Sequence, residues 1–136
     1  MSVISREPIR AAFAQLLTAN VSGAQRIEDG FTDDLGGQSP VVVVASAGTN
    51  RTPLTLRGSL PKVDLDVYIF VLATAGADDL LDALEQQVAE VVEQNQRSAR
   101  WSAIDYSAAS EVGFIVALDG NEYRRERIPL RVTATL

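Results

Sequence analysis

The sequence predicts an α+β fold, a mixed or mostly antiparallel sheet of about four to five strands with two helices packed on it. Three observations predict it. Apolar residues recur at helical spacing over residues 6–19 and 78–96, and strand patterns occupy 41–44, 64–72 and the last third of the chain. The elements follow the order helix, strand, long arm, strand, helix, hairpin, with no internal repeat or low-complexity segment. At 136 residues, the chain is read as a single domain over 1–136, able to bury roughly two thirds of its unfolded surface in one core.

The first helix is expected from Ser5 as cap, Glu7 and Pro8 in the first turn, and Ile9, Ala12, Phe13, Leu16 and Leu17 on one face. The stretch from Asn20 to Pro40 is rich in Gly, Asp, Ser and Asn and reads as mainly loop. Its aspartates lack calcium-loop spacing and a closing glutamate, so it reads as a solvated acidic loop. Val41-Val42-Val43-Val44 is a β-branched run suited to a strand covered on both faces. In Asp64–Leu72, Leu65, Val67, Ile69 and Val71 share one face; on the other, Asp64 and Asp66 give way to Tyr68, Phe70 and Leu72.

Between those strands, Ser46–Pro61 is long for a hairpin connection and polar at its centre. Connections of that length are commonly functional. It reads as an extended arm that orders against a neighbouring subunit, or equally as a mobile hairpin.

The second helix is expected from Asp78 and Asp79, which suit its N-terminus through the dipole, and from Leu81, Leu84, Val88 and Val91, with Arg97 and Arg100 at or just past its end. Its apolar stripe is too short for a coiled coil and should pack on the sheet. Trp101–Tyr106 reads as a strand, with Trp101 and Tyr106 as a hydrophobic lid. Val112, Phe114, Val116 and Leu118 alternate on one face, and Asp119-Gly120 turns the chain into a closing strand. In that strand Ile128, Leu130, Val132 and Ala134 can point into the core, whereas Tyr123, Arg125, Arg127, Pro129, Arg131 and Thr133 point the other way. Pro129 cannot donate to a ladder, which places the strand at a sheet edge or pairs it on one side only.

Composition narrows the function classes. There is no histidine and no cysteine, so the commonest general base, the soft metal ligands and the thiol nucleophile are missing. A net charge of −6 disfavours a dedicated nucleic-acid binder. Met1–Glu7 has no apolar run of a secretory signal and no stretch is long enough to span a bilayer, so a soluble chain is expected. Nearly all the positive charge is arginine, Lys62 being the single lysine; arginine pairs bidentately and suits interfaces, although a GC-rich genome also produces this bias. Phosphate loop, nucleophile elbow and dinucleotide fingerprint are absent. Asp64 and Asp66 share a strand face and could hold a divalent cation, but no third ligand is in view. No catalytic residue, metal ligand or cofactor is assigned. Arg124, Arg125, Arg127 and Arg131, with Glu122 and Glu126 as their nearest partners, read as a cross-strand or cross-subunit ion-pair surface.

The succession of an N-terminal helix, Pro40–Val44, Leu65–Val71, a helix containing Leu81-Asp82-Ala83-Leu84 and Val88, then Trp101–Tyr106 and Tyr123–Ile128 resembles tail terminator proteins of long-tailed bacteriophages. The resemblance spans about residues 6–133 and lies in element order and loosely spaced residues, without a signature motif. It implies a subunit of a hexameric ring that caps the finished tail tube and stops its polymerisation. That ring presents a joining surface to head-completion or connector proteins, and DNA passes through its lumen without specific binding. It implies a place at the head-proximal end of the virion tail, reached from the host cytoplasm during assembly. Arg51, Arg57, Tyr123, Arg125, Arg127 and Arg131 are the candidate subunit or partner contacts, on the arm and on the outward face of the last strand. Another neck, connector or minor tail protein is the alternative; of a different class is a small-molecule or metal-binding module using Asp64 and Asp66.

Overall fold

A computed structural model describes residues 4–51 and 61–135. Helix α1 (Arg6–Asn20) is followed by strands β1 (Arg26–Asp29), β2 (Val41–Asn50) and β3 (Lys62–Leu72), helix α2 (Ala77–Gln94), and strands β4 (Trp101–Tyr106), β5 (Glu111–Val116) and β6 (Glu122–Ala134). The α+β class holds, with six strands in one mixed sheet where about four to five were expected. The extra strand is β1, inside the segment read as loop, and it pairs parallel to β2 from Arg26↔Val41 to Asp29↔Val44. Its sequence, Arg-Ile-Glu-Asp, has no apolar alternation to announce a strand.

The sheet order is β1-β2-β3-β6-β4, with β5 pairing the other half of the edge of β6 that β4 occupies. The closing strand is therefore central, not at an edge. Along its whole length β6 pairs β3, from Leu72↔Tyr123 to Lys62↔Thr133. On its other side β5 covers Glu122–Arg127 and β4 covers Leu130–Ala134. Pro129 falls between the two, where no ladder partner asks for its missing N–H, and its carbonyl accepts from the Ser107 amide at 3.1 Å.

Strand alternation builds two cores. Val42 and Val44 of β2, Leu65, Val67 and Ile69 of β3, and Ile128, Leu130 and Val132 of β6 meet the helices. On the far face Val41, Val43, Phe70 and Tyr123 pack with Leu35 and Ala117. The valine run is thus buried on both sides, as its composition requires. Trp101 is a core residue rather than a lid: it lies against Phe13 of α1, ring centroids 6.5 Å apart, and its indole N–H donates to the Asn95 carbonyl at 2.8 Å.

Ser5 sits at the N-cap of α1 without a side-chain bond, so the expected cap is positional only. Gly76 opens α2 at φ 83, a left-handed conformation natural to glycine. At the other end of α2, the Asn95 and Gln96 side-chain amides donate to the Val91 and Val92 carbonyls at 2.8 and 2.9 Å, filling acceptors the helix leaves open. The long arm is shorter than expected, because β2 continues to Asn50 and Ser46–Asn50 pair with Leu65–Lys62 across a bulge between Ser46 and Gly48. The rest of the arm, including Arg57, lies outside the described residues apart from Arg51 and Pro61.

Candidate interface surfaces

The outward face of β6 carries the predicted arginines, and the register sets acids opposite them. Asp64 lies across from Arg131, whose guanidinium engages both carboxylate oxygens at 2.8 and 3.2 Å. Arg127 reaches diagonally to Asp66 at 3.1 Å and, more loosely, to Glu111 of β5 at 3.9 Å. Arg125 stacks over the Tyr68 ring, 5.7 Å from its centroid. These hydrogen bonds raise the pKa of Arg127 and Arg131 above the ordinary guanidinium value, the bond to the aspartate being the main cause in each. The expected partners Glu122 and Glu126 are not the ones used: Asp64, Asp66 and Glu111 take their place, and Arg124 pairs with Asp78 of α2 at 2.9 Å. Parity separates Glu122 and Glu126, on the helix side, from Arg125, Arg127 and Arg131, which point away from it; Arg124 shares the helix side and is taken by Asp78.

The same pairing answers the cation reading of Asp64 and Asp66, because each already has an arginine at hydrogen-bond distance. Among the described residues no group of three or more acidic side chains is placed to hold a metal. Tyr123, named with the arginines, is fully buried in the far-face core: its ring meets Phe70 edge-on at 6.3 Å and its hydroxyl donates to the Gln38 carbonyl at 3.1 Å. Arg51 is exposed just past β2 and donates to the Ile4 carbonyl at 2.7 Å, tying the start of α1 to that end of the sheet.

On the helix side, Glu126 is buried beneath α2 and accepts a 2.7 Å bond from the Ser110 hydroxyl. Burial pushes its carboxyl above the usual range, Glu85 and Asp82 of α2 push further, and the Ser110 bond opposes them.

Next to Glu126 the sheet runs past the cover of the helices. Val112, Phe114 and Val116 of β5 project on the helix side but beyond α2, and with Leu118 of the following turn they form an uncovered apolar stripe; Phe114, Val116 and Leu118 are 62%, 68% and 75% exposed. The Arg124 guanidinium lies 4.4 Å from the centre of the Phe114 ring. An open cleft of about 600 Å³ runs along it, lined by Gly76, Asp78, Asp79, Glu122 and Arg124. β5 also keeps its outer edge unpaired among the described residues. An apolar, alternating edge strand is a ready surface for another chain. The alternation of Val112 to Leu118 was visible in the sequence; its exposure follows from β5 sitting beyond the reach of α2, which no local pattern encodes.

The comparisons with known protein families and with curated proteins give no match for this chain. Among the described residues no helix is long and apolar enough to cross a membrane.

Proposed function

We propose that this chain is a structural subunit of a bacteriophage tail, forming a ring that caps the tail tube, ends its polymerisation and offers the joining surface to the head. The observation that carries the reading is the uncovered stripe Val112, Phe114, Val116 and Leu118 on an unpaired edge strand, a surface suited to protein contact. The resemblance in element order supplies the tail-terminator identity. Its mechanism is steric and stoichiometric: a ring matching the tube's symmetry occupies the terminal subunit-binding surface and leaves the next tube ring nothing to add to. Binding, not catalysis, is the activity. A net charge of −6 suits a lumen through which DNA passes without being held. Arg51, Arg57, Arg125, Arg127 and Arg131 belong to the proposed subunit or lumen surfaces, and Tyr123 supports that face from within.

Light scattering across a concentration series, with negative-stain imaging, tests this. The expected result is a ring of six times the 14.6 kDa subunit mass that binds the ends of tail tubes. A strict monomer at every concentration that leaves tube growth unchanged overturns it, as does a ring that binds the portal side and ignores the tube.

A further inference from the structure

The two ends of the sheet differ in charge. At the end where β2 and β6 finish and β4 begins, Arg6, Arg51, Lys62, Arg97 and Arg100 are exposed, and among the described residues none of them makes an ion pair. Ile4 and Ser5 border Arg100 there, which places the start of α1 at the same end. At the opposite end, where β3 finishes and β6 begins, Asp78, Asp79, Asp119 and Glu122 are exposed around the apolar stripe. Each end also has an apolar feature of matching sense. The acidic end carries the protruding Phe114, Val116 and Leu118. The arginine end carries a groove of about 300 Å³ between α1 and the start of β4, lined by Ala12, Leu16, Ala99, Arg100 and Trp101.

We propose that the stripe of one copy docks in the α1–β4 groove of a second copy, with Asp79 and Glu122 facing Arg97 and Arg100 across the rim. This rests on the self-assembling reading above and names its contact. The apolar protrusion is flanked by Asp79 and Glu122, while Arg124 over the Phe114 ring is already paired with Asp78. The apolar recess has Arg100 in its wall and exposed Arg97 in the segment leading to it, so burial of the stripe supplies affinity and the charges supply register and disfavour the reversed, stripe-to-stripe arrangement. Because the two surfaces are different, the contact is heterologous and propagates head to tail, the type of interface that forms a ring where the rotation between copies closes.

A charge swap tests it. One variant carries Arg97→Glu and Arg100→Glu, the other Asp79→Lys and Glu122→Lys, all at exposed positions. Each alone is expected to associate at least about tenfold more weakly than the wild type, roughly the effect of one misplaced charge pair at an interface rim. An equimolar mixture is expected to regain the wild-type mass, because an alternating assembly matches Lys stripes with Glu grooves and native stripes with native grooves. Circular dichroism and melting temperature confirm folding; if a reversal variant fails to fold, the neutral set Arg97→Gln, Arg100→Gln, Asp79→Asn and Glu122→Gln replaces it and is expected to weaken association. Folded variants that assemble as the wild type does, or a folded mixture that stays dissociated, overturn this docking while leaving the ring reading standing. A wild type that is monomeric at every concentration overturns this docking, and it overturns the ring reading as well if it also leaves tube growth unchanged.

Discussion

Glu126 is the residue whose surroundings disagree most with its charge. It is buried, its hydroxyl donor is Ser110, and the like-charged Glu85 and Asp82 of α2 act on it. The folded chain therefore holds this proton at pH values where the unfolded chain has released it, and stability falls as pH rises through that window and stays lower above it. Glu126→Gln removes the ionisation and keeps an acceptor for Ser110. The variant is expected to be more stable than the wild type at neutral pH, by on the order of 1 kcal/mol in urea unfolding, with the advantage shrinking as pH falls from the raised folded value towards the ordinary carboxylate range and gone below it. An advantage that persists unchanged at low pH would place the gain in packing instead. Parity along β6 was readable from the sequence, since Ile128, Leu130 and Val132 do fill the core and Arg125, Arg127 and Arg131 do face away from it. Which acids those arginines meet was not, because that depends on the register of β3 against β6, a pairing across some sixty residues that no local spacing encodes.

At the scale of elements, helices α1 and α2 and strands β2, β3 and β6 were legible because each buries a continuous apolar face, and burial writes its period into the sequence. β1 was not legible, since four residues with one apolar side chain owe their strand state to pairing with β2. Pro129 pointed to an edge because a missing donor is usually tolerated there; here the gap between β4 and β5 supplies the same tolerance inside the sheet. Trp101 joins three elements, lying at the start of β4, packing on Phe13 of α1 and donating to the carbonyl just past α2. Trp101→Ala is expected to cost about 3–5 kcal/mol by cavity formation and loss of that bond, measured by urea unfolding. Trp101→Phe keeps most of the apolar volume and is expected to cost less while still losing the bond to Asn95. Equal losses from both variants would assign the whole effect to the hydrogen bond.

Across the whole molecule, stability and assembly fall on separate surfaces. The helix-side and far-face cores hold the fold without help from Phe114, Val116 and Leu118, which are exposed, with Arg124 lying above the Phe114 ring. Replacing exposed side chains outside caps, cores and buried networks changes stability by no more than about 0.5 kcal/mol each. The combined variant Phe114→Ser, Val116→Thr and Leu118→Ser should therefore melt close to the wild type. Its self-association should collapse, because the apolar area that drives the contact is gone while the rim charges remain. Added salt separates the two contributions: screening weakens the rim pairs of the wild type and leaves stripe burial intact, so wild-type assembly should decline with salt only in part, and the serine and threonine variant should stay dissociated at every salt concentration. If that variant assembled normally, the stripe would not be the contact. If it unfolded, β5 would be part of the stabilising core despite its exposure.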